Sequence, residues 1–283
     1  MATEAQGTFE VDGHKLHSTT WTPPGPIKAK LVFVHGFSDH VGRYHELFPY
    51  LAGRGIQVFS WDQRPTSRVL ADVAAFIRDK LSSSSSAGTN VPIFVMGHSM
   101  GGGQVLALAS NPQYNDIVAQ VRGWLLESPF IAFTPGEEPS FLKVFFGKLA
   151  SRVLPRQQLV NEIPAEQLTR DPAVQQSIRD DDMMHNTGTL EGLAGCSRGQ
   201  THWPTPGGQK PVARPRDRGQ DDMLPRQQEM ARRAEHRRQH AQTVRGAYHQ
   251  LHADLCKDEF FKDVGDWIIE RAGEAAAKPE SKL

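Results

Sequence analysis

The chain has 283 residues, 38% of them hydrophobic, and its 32 basic and 32 acidic side chains give a formal net charge of zero. That length allows one large core or two modest ones, a balanced charge gives no global attraction to nucleic acid or anionic membrane, and no apolar run approaches the roughly 18 residues of a membrane span. Only Cys196 and Cys256 are present, too few for a disulfide scaffold, and the opening MATEAQGTFEVDG lacks the basic and apolar regions of a leader, so a soluble protein of a reducing, intracellular compartment is expected.

Short apolar, β-rich runs occur at Lys30 to His35 (KLVFVH), Ile56 to Trp61 (IQVFSW), Pro92 to Met96 (PIFVM) and Gly123 to Glu127 (GWLLE), each suited to a strand covered on both faces. Helical patterns lie between them at Tyr44 to Leu51, at Thr66 to Leu81 with Val69, Val73, Phe76 and Ile77 on one stripe, and at Gln104 to Ser110. Strand and helix in alternation predict a mostly parallel sheet with right-handed crossovers and helices on both faces, in a single α/β domain over residues 1–283. The run Ser82 to Ser86 reads as a solvated loop before the Pro92 strand.

The stretch VMGHSMGGG, Val95 to Gly103, contains G-x-S-x-G. By itself that pattern is common. Here it follows an apolar strand and opens a helix, the setting in which a sharp turn lifts a serine hydroxyl above the sheet. Upstream, the strand ending Leu31 to Phe37 (LVFVHGF) supplies a second turn. The backbone N–H groups of Phe37 and Met100 would then form an oxyanion hole, because the tetrahedral intermediate of acyl transfer develops charge that fixed donors stabilise. In such a fold the order is nucleophile, acid, base, with the base on a late loop, so His249 or His252, before the helix Asp258 to Arg271, must serve. His98, next to the serine, reads as a packing neighbour.

Five motifs together carry a resemblance: L-V-F-V-H-G-F at Leu31 to Phe37, G-R-Y-x-E-L at Gly42 to Leu47, W-D-Q-R at Trp61 to Arg64, G-H-S-M-G-G at Gly97 to Gly102 and G-A-Y-H-Q-L-H at Gly246 to His252. The chain resembles monoacylglycerol lipases of the α/β-hydrolase fold over about residues 8 to 195 and 246 to 272. The resemblance implies Ser99 as nucleophile, His249 rather than His252 as general base, and Phe37 with Met100 as oxyanion donors. It also implies a lipid ester substrate, monoacylglycerol cleaved to glycerol and fatty acid, with no metal or organic cofactor and no nucleic acid as partner. His252 then reads as a residue behind the base or on the surface.

The acid is missing. The resembling family has a pattern like H-G-T-x-D after a late strand, and none occurs between Ser99 and His249. That place is taken by Cys196 to Arg245, with ten arginines, one lysine, seven glutamines and no isoleucine, phenylalanine or tyrosine, a composition that cannot form a buried parallel strand. A disordered insert, an arginine-rich arm and a segment read out of frame are the three readings. The third is favoured, because Pro211 to Met223 admits codons that, moved one nucleotide forward, spell P-W-L-A-H-G-T-E-D-K-M-T, and Gln239 to Gly246 likewise admits N-T-L-K-L-Y-E-G. The acid's codon would then straddle Gly219 and Gln220, leaving Asp217, Asp221 and Asp222 accidental. Arg64 joined directly to Pro65, where the family has a longer glycine-containing loop, suggests a second omission. Glu127, ending the strand before Ser128, Pro129 and Phe130, is a possible substitute acid for the histidine.

Residues from about 129 to 190 are expected to form a cap or lid. In Ser140 to Leu154 (SFLKVFFGKLASRVL) the residues Phe141, Leu142, Phe145, Leu149 and Val153 share one face, which could cover an acyl chain and touch lipid surfaces. The tail 273–283 ends in Ser281, Lys282 and Leu283, the address read by the peroxisomal import receptor, so a peroxisomal location is expected. The rival to an esterase is a non-catalytic α/β-hydrolase shell that binds apolar ligands or, through Arg214 to Arg245, polyanions.

Overall fold

A computed structural model describes residues 1–64, 66–86, 91–131, 153–154, 156–160, 162–190, 244 and 246–273. The strands are β1 (Thr3–Val11), β2 (His14–Thr22), β3 (Ala29–Val34), β4 (Ile56–Trp61), β5 (Ile93–His98), β6 (Val121–Glu127), β7 (Gln158–Val160) and β8 (Thr187–Thr189). The helices are α1 (Leu47–Gly53), α2 (Val69–Ser86), α3 (Met100–Ser110), α4 (Asn115–Val118), α5 (Ala165–Leu168), α6 (Pro172–Arg179) and α7 (Lys257–Gly273).

The first six strands form one sheet in the order β1-β2-β4-β3-β5-β6. β4, β3, β5 and β6 run parallel, as the alternation of elements predicts. β1 and β2 add an antiparallel edge that the apolar runs do not announce. Its signal is instead the Asp12-Gly13 turn between Val11 and His14, where φ is 50° and 74°. Two successive positive φ values make the tight turn whose twist matches its strands, and Asp followed by Gly tolerates them.

Successive residues of β3 supply both faces of the core. Leu31 and Phe33 pack with Phe94 and Met96 against Leu47, Phe48 and Leu51 of α1 and Phe261, Val264 and Ile268 of α7. Val32 and Val34 pack with Val95 against Val73, Phe76 and Ile77 of α2 and Val105 and Leu108 of α3. All of these side chains are buried, and full burial of such a side chain contributes roughly 1.5–3 kcal/mol, which is why four short parallel strands hold without long hydrogen-bonded edges.

One expectation changes. The serine run continues α2 to Ser86 rather than forming a loop. Ser82 and Ser83 donate their hydroxyls to the carbonyls of Asp79 and Lys80 at 2.9 and 3.0 Å, and exposed serine costs a helix only a few tenths of a kcal/mol per residue. The short connection after β4 is tied down by charge: Arg64 donates Nε and Nη2 to the two oxygens of Asp72, both at 2.7 Å, and Nη2 also to Asp12 at 2.7 Å. The link to α2 is thereby held to the hairpin turn.

Within the cap region β7 and β8 pair antiparallel, and Ala165, Leu168 and Ile178 form a small core of their own with Ile163, Val174 and Met184. The amphipathic stretch Ser140 to Leu154 lies outside the described residues except for Val153 and Leu154, as does Cys196 to Arg245 except for Val244. Residues 274–283, with Ser281, Lys282 and Leu283, also lie outside them. No helix among the described residues is long and apolar enough to cross a membrane.

Candidate active site

β5 ends at His98 and α3 begins at Met100, so the whole reversal falls on Ser99, whose φ of 51° and ψ of −117° are strained for a residue with a side chain. Three backbone bonds hold it there: Ser99 N–H donates to Glu127 O at 2.9 Å, and Ser99 O accepts from Phe130 N at 2.8 Å and Gly103 N at 3.1 Å. The flanking glycines let the helix start this close to the sheet. A Cβ on Gly97 would collide with the carbonyl of Gly101, and one on Gly101 with the carbonyls of Val34 and His35.

His249 brings its Nε2 to 2.8 Å from Ser99 Oγ. Burial lowers its pKa below the usual 6.5, with the charge of Glu127 pulling it up and His252 pushing it down, so at neutral pH the ring is neutral and has a nitrogen lone pair with which to accept a proton. Phe37 lines the same cleft as Ser99 and His249. Met100 opens α3 immediately after Ser99, and the first N–H groups of a helix have no intrahelical acceptor. Phe37, Ser99 and His249 thus line one cleft, with Met100 next to Ser99 at the start of α3. Sequence reasoning missed the cap residues facing them: Ile163, Leu168, Met184 and Asn186 complete the cleft, and Asn186 N–H donates to Ser38 Oγ at 2.6 Å. Leu168 is buried and Ile163 half-buried, and their apolar character alone does not say what they face.

Glu127 does not take the place read for it. Its Oε1 accepts from the backbone N–H of His252 at 3.0 Å and from His252 Nδ1 at 2.7 Å, and among the described residues no carboxylate hydrogen-bonds His249. The strand end delivers the carboxyl to the turn Leu251–Ala253, where two donors of His252 meet it instead of the His249 ring. His252 is accordingly buried rather than on the surface. Although burial pushes the carboxyl up, His252 and His98 outweigh it and hold Glu127 at about 2.

His98 packs as expected, with its ring 5.2 Å from that of His249 and 4.9 Å from that of His252, centre to centre. Tyr44 donates its hydroxyl to Asp39 Oδ2 at 2.5 Å, so His98 Nδ1 donates to Tyr44 Oη at 3.1 Å. Burial drives the His98 pKa down to about 4, Glu127 opposing it. His98, Glu127 and His252 are also the described grouping whose metal-ligating atoms lie within 4.8 Å of one another; its carboxylate already serves two N–H donors of His252.

Residues 25–255 match the family described as serine aminopeptidase, S33. The chain belongs to that family. Its relatives include the monoglyceride lipase of Mus musculus, 37% identical over 158 residues that make up 52% of this chain and 50% of the mouse protein. They also include the monoacylglycerol lipase of Mycolicibacterium smegmatis, 27% identical over 205 residues, 68% of this chain and 70% of that one. This S33 chain spans about half the length of its mouse and human relatives, 50% of each. The structure of the monoglyceride lipase of Saccharomyces cerevisiae superposes with a TM-score of 0.77 at 20% identity, covering 94% of both chains. The fold is the α/β-hydrolase fold, and the resemblance to monoacylglycerol lipases drawn from the five motifs is borne out.

Proposed function

We propose that this S33-family protein is a serine hydrolase that cleaves carboxylic esters of lipids, with monoacylglycerol cleaved to glycerol and fatty acid. The 2.8 Å contact between His249 Nε2 and Ser99 Oγ, on a strained turn, carries the reading. Ser99 Oγ attacks the ester carbonyl while His249 takes its proton, and the N–H groups of Phe37 and Met100 stabilise the oxyanion. His249 returns the proton to the glycerol oxygen as it leaves. Water, deprotonated in turn by His249, then attacks the acyl-enzyme and releases the fatty acid. The apolar wall of Phe37, Ile163, Leu168 and Met184 suits an acyl chain, and the names of the mouse and mycobacterial relatives point the same way.

The chain as written is an impaired form of that enzyme. No described carboxylate orients His249, and the segment where the family-like acid belongs is Cys196 to Arg245. An absent acid lowers turnover on the order of ten-thousandfold while the oxyanion hole and bound substrate sustain a remainder. We further propose peripheral contact of the cap with lipid surfaces, supported by the exposure of Val153, Leu154, Leu159 and Val160.

A fluorescent fluorophosphonate tests the reading against a non-catalytic shell, since only an activated serine is labelled. Slow labelling of the native chain that disappears in Ser99→Ala is expected. Equal signal in both proteins would overturn it.

A further inference from the structure

We infer that Asp254, gripped by Arg170, is the positioning residue that aims His249 at Ser99. The inference rests on reading those two residues as base and nucleophile. Among the described residues the His249 ring hydrogen-bonds only Ser99 Oγ, so its aim depends on the backbone that carries it. Both neighbours of His249 are tied. Tyr248 N–H donates to Asp254 Oδ2 at 3.0 Å, and Gln250 N–H donates to the carbonyl of Leu168, the last residue of α5, at 2.8 Å.

Asp254 joins these ties into one clamp. Its fully buried carboxylate also accepts from Arg170 N at 2.9 Å and from Arg170 Nε at 3.1 and 3.0 Å, and it forms an ion pair with Arg170 Nη2 at 2.9 Å. Thr169, between Leu168 and Arg170, donates its hydroxyl to Ala253 O at 2.8 Å. The cap segment Leu168–Arg170 and the loop Tyr248–Asp254 are therefore laced along their length, with His249 at the open edge. A buried carboxylate is retained only when charge and donors compensate it. Here burial pushes the Asp254 pKa up, and the Arg170 guanidinium with the backbone donors brings it to about 2. Asp254 acts on where the ring is, not on its protonation, which answers to burial, Glu127 and His252. A reacting group displaced by about 1 Å costs on the order of a hundredfold in rate.

The test is Asp254→Asn in the full chain, read by fluorophosphonate labelling across pH and by amide hydrogen exchange. The expected result is a labelling rate roughly ten- to a hundredfold lower with an unmoved pH midpoint, and faster exchange at Tyr248 and Gln250 with the sheet unchanged. Arg170→Lys, which keeps one donor, is expected to recover part of the rate. A wild-type labelling rate, a displaced pH midpoint, or exchange raised throughout the molecule would each overturn the inference. Should the native chain take no label at all, the base and nucleophile reading fails, and exchange alone judges the clamp: unchanged protection at Tyr248 and Gln250 in Asp254→Asn sinks it.

Discussion

Replacing Tyr44 by phenylalanine removes one buried oxygen from between Asp39 and His98 and little else. The ring stacks on Phe48 at 5.2 Å and lies 4.4 Å from both Phe33 and His252, centre to centre, contacts that phenylalanine keeps. The hydroxyl is buried, so its pKa is pushed well above 10 and it remains a donor at every working pH. Its loss takes the donor from Asp39 Oδ2 and the acceptor from His98 Nδ1, while Asp39 Oδ1 keeps the N–H of His40 at 3.0 Å. A hydrogen bond to a charged group is worth about 1.5–3 kcal/mol and a buried polar atom left unpaired costs about 1–3 kcal/mol, so Tyr44→Phe is expected to destabilise by about 3 kcal/mol. For a domain of this size that is roughly 6–12 °C in midpoint. Thermal unfolding at pH 7 measures it, and the cycle with Asp39→Asn isolates the pair, since the double variant should cost clearly less than the two single changes summed. A midpoint within about 2 °C of wild type would refute the reasoning.

The acid limb of fluorophosphonate labelling is expected below pH 6.5, because the reactive form is neutral His249 and burial lowers its pKa; Glu127→Gln removes a charge that raises that pKa and should move the limb further down, whereas an upward shift would contradict the placement of Glu127. The His98 pKa is about 4 in the fold against 6.5 unfolded, so its neutral ring adds stability that is complete above pH 6.5 and drains away as pH falls to about 4, up to about 3 kcal/mol. Urea midpoints at pH 7 and 4 should show a loss that His98→Asn reduces, and an equal loss in both proteins would sink the assignment. A fluorescent protein ending in the last dozen residues of this sequence should collect in peroxisomes and return to the cytosol when Leu283 is deleted; diffuse signal from the intact tail would dispose of that expectation.

The parallel strands and the serine turn were legible because each is written in one short run. KLVFVH and PIFVM admit no solvent-facing period, and G-H-S-M-G sits where strand gives way to helix. β1 was hidden because its strand is mostly exposed along its length, so no apolar run marks it, and only Asp12-Gly13 betrays the turn. α2 is longer than its stripe because exposed serine costs a helix little, and Ser82 and Ser83 bond back to carbonyls of the preceding turn. At the site, Ser99, His249, Phe37 and Met100 could be named from motif and chain order. The partner of Glu127 could not, since the choice between His249 and His252 turns on which donors the strand end meets, 125 positions away in sequence for His252. The Asp254–Arg170 clamp, spanning 84 positions, left no local signal of any kind.

The turn at Ser99 has its own N–H bonded to Glu127 and its carbonyl bonded to Phe130, with Ser128 between them forced to a φ of 41°. The nucleophile is thus framed by the very residues through which the chain leaves the sheet for the cap. As far as Phe130 the exit belongs mechanically to the sheet. An exchange of cap segments between related chains should therefore be cut after Phe130: a graft that starts there inherits an intact nucleophile, and one that starts at Ser128 rebuilds it.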